Sequence, residues 1–234
     1  MLKKIVVYVF LTVLITFHAG AKTQFYDEAV SLGFDCQVAW QLEANNMRKF
    51  AYPLDWVHTH FDSLVNFIVN KGVNFLDADK IAVIGPYPGD PSRLHVIDVV
   101  YGIISYHDFR ANPPFENYWE VKTKYDRRVK RFFDLLNSNK RVLFVRYGLT
   151  RPQVEFLDGL LHFLYPTLSY TLVAVNDDPE YLIDWGLERV RNFYIQQTLG
   201  MWKGDPVRWK EILSAFSLYP KIKGISDEEK EEIW

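Results

Sequence analysis

The chain has one thiol among its 234 residues, Cys36, in Ser31-Leu32-Gly33-Phe34-Asp35-Cys36. A short apolar run there gives way to a helical pattern. The backbone N–H groups and dipole at a helix N-terminus favour a thiolate, the nucleophilic form of cysteine. Such a nucleophile needs a base to take its proton and a third group to orient that base. His107 has the best setting for the base, at the end of an apolar β run and followed by Asp108 and Phe109. Three residues are candidates for the orienting group: Asp108, Asn176, and Asp55 in Tyr52-Pro53-Leu54-Asp55-Trp56. Neighbours on a strand point to opposite faces, so Asp108 qualifies only if the chain leaves the strand there. His58 and His60 can share one face of an extended segment, but no cysteine or close carboxylate cluster completes a metal site. No metal or cofactor is expected. His95 and His162 read as structural.

The elements around these residues follow from apolar periodicity. The pattern predicts a strand over 29–32, a helix over 37–45 with Val38, Ala39 and Leu42 inward, and a second helix over 62–70. Gly85-Pro86-Tyr87-Pro88-Gly89-Asp90-Pro91 reads as an irregular loop. Residues 96–106 read as β structure broken at Gly102 and delivering His107 to its end. A long amphipathic helix is expected over 117–136, with Lys122, Lys124, Arg127, Arg128, Lys130 and Arg131 on a solvated face.

The second half alternates strand and helix. Strands are expected over 141–146, 170–175 and 190–195. Thr150, Pro152 and Gln153 form a helix start with a capping box, a shorter helix begins at Pro179, and Asp205 caps another ahead of Pro206. A charged segment begins at Ser226. This order predicts an α/β fold with a mainly parallel sheet flanked by helices, three-layered and Rossmann-like. Ligands of such sheets gather at the carboxyl ends of the strands. Arg146, able to grip a phosphate or carboxylate, is therefore a candidate substrate contact, as are Asp177 and Trp56. Those contacts would suit a glycosyltransferase-like or anion-binding enzyme, although no Gly-rich phosphate loop is present.

The first residues read as a secretory signal peptide over 1–21: Lys3 and Lys4, an apolar run from Ile5 to Phe17, then Ala19-Gly20-Ala21. An uncleaved anchor is the alternative. Residues 22–234 then form a single exported domain with no further membrane span. Losing the two lysines would take the formal net charge from −2 to −4, which offers nothing to nucleic acid. A lone cysteine cannot build a disulfide scaffold, so stability must come from a core, to which aromatics at 16% contribute much of the bulk.

An ordered set of short motifs carries a family resemblance. It comprises Ser31-Leu32-Gly33-x-x-Cys36-x-x-Ala39-x-x-Leu42, Met47-Arg48, Pro53-Leu54-Asp55-Trp56, His107-Asp108-Phe109, Asp126-Arg127-Arg128-x-x-Arg131-Phe132 and Leu143-Phe144-Val145-Arg146. The set resembles the papain-like cysteine peptidase family, a domain of unknown function, over residues from about Ala29 to about Leu213. Leu54 stands where that family usually has Phe, and Met47 where Leu is common. The resemblance implies Cys36 as nucleophile, His107 as base, and a peptide or other carbonyl substrate. It also implies an alternative α+β, papain-like fold, in which a cysteine-bearing helix packs on an antiparallel sheet that supplies the histidine. A non-enzymatic exported binding protein, with Cys36 buried, is the third expectation.

Overall fold

The computed structural model describes residues 24–197 and 200–220. The expected signal peptide and the charged segment from Ser226 lie outside them. The elements run β1 (Phe25–Tyr26), β2 (Glu28–Ser31), α1 (Cys36–Ala44), β3 (Val57–His58), α2 (Phe61–Val69), β4 (Ile81–Tyr87), β5 (Asp90–Asp98) and β6 (Ile103–Arg110). They continue with α3 (Tyr118–Leu136), β7 (Arg141–Tyr147), α4 (Arg151–Leu164), β8 (Ser169–Asn176), β9 (Val190–Tyr194), α5 (Pro206–Leu213) and β10 (Ser217–Leu218).

Strands rich in Val, Leu and Phe on both faces suit a sheet covered on both sides. β2, β7, β8 and β9 form such a sheet, all parallel and in that order. One row of side chains crosses it as Val30, Phe144, Leu172 and Val190, in register. That face packs with Val121, Tyr125 and Phe132 of α3 and with Val154, Leu157 and Leu161 of α4. The opposite face presents Ala29, Leu143, Val145, Val173 and Val175 to Val38 and Leu42 of α1 and to Trp209, Ile212 and Leu213 of α5. Each of these fully buried large side chains contributes roughly 1.5–3 kcal/mol. The helix starts follow their sequence signals: Gln153 Oε1 accepts from the Thr150 amide at 3.0 Å, and the Asp205 carboxylate accepts from the amides of Val207 and Arg208.

The expectation of one mainly parallel sheet needs a correction. A second four-stranded sheet, ordered β3-β6-β5-β4, is antiparallel throughout. Gly85, Pro86, Tyr87, Asp90 and Pro91, read from sequence as irregular, belong to its β4–β5 hairpin. Proline removes a ladder donor and is tolerated at an edge or a bulge. β4, which carries Pro86, is an edge strand, and its register shifts between Val83 and Gly85 and again between Pro86 and Tyr87; Pro91 is the second residue of β5, next to the hairpin turn. The helix α3 is also less solvated than its charge run implied. Arg128 is buried with its guanidinium 5.3 Å from the Tyr125 ring centroid, and Lys124 bonds inward to Asp108. Among the described residues, no helix is long and apolar enough to cross a membrane.

Candidate active site

Cys36 is the first residue of α1, directly after the parallel strand β2. The turn between them is tight. Gly33 and Phe34 both take positive φ, 84° and 83°. A Cβ on Gly33 would lie 2.3 Å from Thr59 Oγ1, so only glycine fits this elbow. Phe34 adopts the same left-handed region with a bulky side chain, a strained conformation of the kind that surrounding contacts must hold. Those contacts are present. The Thr59 amide donates to Phe34 O at 3.1 Å, and Arg146 donates through Nη1 to Leu32 O at 2.7 Å and through Nη2 to Thr59 O at 2.6 Å.

His107 lies in β6, not at its end. The β5–β6 register passes from Leu94↔Phe109 to Val96↔Ser105, so His95 alone opposes Tyr106, His107 and Asp108. This irregularity breaks strict alternation. It aims His107 at the thiol, with Nε2 3.7 Å from Cys36 Sγ across 71 positions of sequence. Both residues are partly exposed.

Asp108 turns the other way. Its carboxylate accepts from Ser105 Oγ at 2.6 Å, Lys124 Nζ at 2.6 Å and Tyr125 OH at 2.8 Å. Burial by itself would raise its pKa, but Lys124 and the three donors outweigh that and hold the carboxyl down at about 2. Among the described residues, the His107 ring makes no hydrogen bond other than the one toward Cys36.

The thiol itself is held neutral. Burial, then the charge of Asp35, push its pKa up to about 12. Asp35 is the N-cap of α1, and its Oδ1 accepts from the Cys36 amide at 2.9 Å. The helix dipole favours a thiolate, and this capping carboxylate works against it.

The fold does not bring the remaining candidates to the thiol. Asp55 is buried and accepts from Arg48 Nε and the Tyr52 amide, both at 2.9 Å, while Arg48 also lies 5.4 Å from the Trp56 ring centroid. Asp55 and Trp56 thus form a packed corner. Asn176 donates to Leu149 O at 2.7 Å and accepts from the Asp177 amide, which fixes a strand end; Asp177 is exposed. Arg146 is 1% exposed and its terminal nitrogens hold backbone carbonyls, so it does not reach out to grip an anion. Burial lowers its pKa to about 9.

Sequence reasoning missed the aromatic cluster beside His107. Tyr106 contacts His95, Tyr87 and His58 at centroid distances of 4.8, 5.9 and 6.1 Å, and Tyr87 is 6.0 Å from His107. His58 and His60 meet at Nε2, 3.3 Å apart. Among the described residues, no group of three or more His, Cys, Asp or Glu could hold a metal ion. The clustering of Tyr87, His95 and Tyr106 depends on the hairpin, whose Gly and Pro content hid it.

A thiol on a helix N-terminus facing an imidazole from a neighbouring sheet is a cysteine-peptidase arrangement in outline. The chain belongs to the family described as "putative papain-like cysteine peptidase", whose family model matches residues 27–177. It is similar to an uncharacterized protein of Acanthamoeba polyphaga mimivirus, 28% identical over 214 residues that span 79% of this chain and 96% of the viral one. No solved structure matches.

Proposed function

We propose that this chain is a thiol hydrolase of the papain-like peptidase class, with Cys36 as nucleophile and His107 as general base. One observation carries the reading: the 3.7 Å approach of Sγ to Nε2 between two partly exposed side chains. Because the resting thiol is neutral, His107 takes the proton as sulfur attacks the carbonyl carbon. The same imidazolium then protonates the leaving amine, and water releases the acyl group. Of the two expected folds, the parallel sheet with helices on both faces supports a Rossmann-like scaffold. The antiparallel sheet bearing His107 supports the papain-like element of the reading.

Peptide or isopeptide amides are the natural substrates on family grounds. Export after residue 21 is part of the reading and rests on the sequence of that segment. The test is alkylation of Cys36 by iodoacetamide, followed by intact mass across pH 5–10. Wild type should react faster than His107→Ala near neutral pH, with a rate limb that disappears in the variant. Equal rates and identical profiles would remove the proposal. Mass spectrometry of expressed protein tests cleavage after Ala21.

A further inference from the structure

We propose that Trp40 and Trp202 form a substrate subsite for an aromatic or large apolar group flanking the attacked carbonyl. The inference rests on the thiol-hydrolase reading and adds the class of side chain the site takes. Trp40 follows Cys36 by four residues in α1, which puts the two on one helix face with Cβ atoms about 6 Å apart. The Trp202 ring meets it at 6.2 Å and 73°, edge to face. Trp202 is 55% exposed and Met201 beside it 43%.

The segment bearing Trp202 is built against α1. Gln41, fully buried, donates Nε2 to Lys203 O at 2.6 Å, and the Gly204 amide closes a turn onto Met201 O at 2.8 Å. Gly204 has φ 69°, and a Cβ there would lie 2.1 Å from Gln37 Nε2, so glycine permits this close approach. Lys203 Nζ lies 4.6 Å from the Trp40 ring centroid and 5.3 Å from that of Trp202, a cation over both rings. Two indoles fixed by a buried amide one helical turn from a nucleophile make a directional apolar surface. The four-residue spacing of Trp40 from Cys36 selects the occupant, which is the part of the substrate next to the scissile bond.

Two electrophiles with one reactive group test this: iodoacetamide and N-benzyl iodoacetamide. The ratio of their alkylation rates at Cys36 is divided by the same ratio for N-acetylcysteine. Wild type should prefer the benzyl reagent by about three- to tenfold on this scale, the size of one good aromatic contact. Trp202→Ala, at an exposed position, should abolish that preference, and Trp40→Ala should abolish it too. No benzyl preference in wild type, or a preference that survives Trp202→Ala, would overturn the subsite. The catalytic reading fails separately, if His107→Ala leaves the iodoacetamide rate unchanged.

Discussion

The amide of Thr59 donates to the carbonyl of Phe34 at 3.1 Å, joining the loop that presents the thiol to the segment that opens the antiparallel sheet. Cys36 opens the helix that follows β2 of the parallel sheet and His107 lies in the antiparallel sheet, so their separation depends on this seam. Arg146 reinforces it from β7, bonding to a carbonyl on each side.

Arg146→Met should therefore slow Cys36 alkylation at neutral pH by about tenfold or more, since two charge-assisted hydrogen bonds are lost at a buried seam. Arg146→Lys, which keeps one donor group and the charge, should recover part of the rate. In a His107→Ala background the Arg146→Met effect on alkylation should vanish, while its effect on thermal unfolding persists. Additive rate effects would show that Arg146 supports the fold without setting the dyad.

Gly33→Ala should destabilise by about 2 kcal/mol or more, through left-handed strain and the collision with Thr59 Oγ1. Adding Thr59→Ala removes the collision but not the strain, so the double variant should regain part of the loss. Urea unfolding of the four proteins measures the coupling. No recovery would place the whole cost in the backbone.

Asp35→Asn separates the cap from its charge. Asparagine caps a helix about as well as aspartate, so stability should change little. Removing the negative charge beside Cys36 should lower the thiol pKa from its raised value of about 12 and speed alkylation at pH 8. Thiolate absorbance titrated against pH reads the shift directly. An unchanged or higher thiol pKa would contradict the assigned role of Asp35.

Asp108 sets an acid limb of stability. Its folded-state pKa, about 2, lies below the ordinary carboxylate value. Its contribution of about 2 kcal/mol is thus fully present above about pH 4 and fades as pH falls toward 2. Lys124→Met should destabilise the protein at pH 7, and the gap to wild type should narrow between pH 4 and pH 2. A constant gap across that range in denaturant unfolding would argue against the ion pair as its source.

Much of the parallel layer was legible, because Val142 to Tyr147 and Tyr170 to Val175 are continuous buried runs and the helices between them carry capping signals. Cys36 and His107 were also readable as candidates, from residue chemistry, position and the family resemblance. Their proximity was not, since it depends on a strand irregularity opposite His95 that no periodicity reports. The hairpin from Ile81 to Asp98 was hidden by the residues that usually break strands, and an edge position tolerates them. Asp108 looked like a partner for its neighbour in sequence. Its real partners, Lys124 and Tyr125, come from a helix packed behind the sheet. Trp40 carried no signal of its own within the helix expected over 37–45, because its companion Trp202 comes from a distant part of the sequence.

Among the described residues, the second nitrogen of His107 has no hydrogen bond, so there the imidazole is steered from one side only. The contact to Cys36 is, among the described residues, the one polar restraint on rotation about the Cβ–Cγ bond. Under the proposed chemistry, the arriving substrate or a water would complete the ring's alignment. Readiness to react would then be acquired on encounter, which suits an enzyme that must stay quiet until its target arrives.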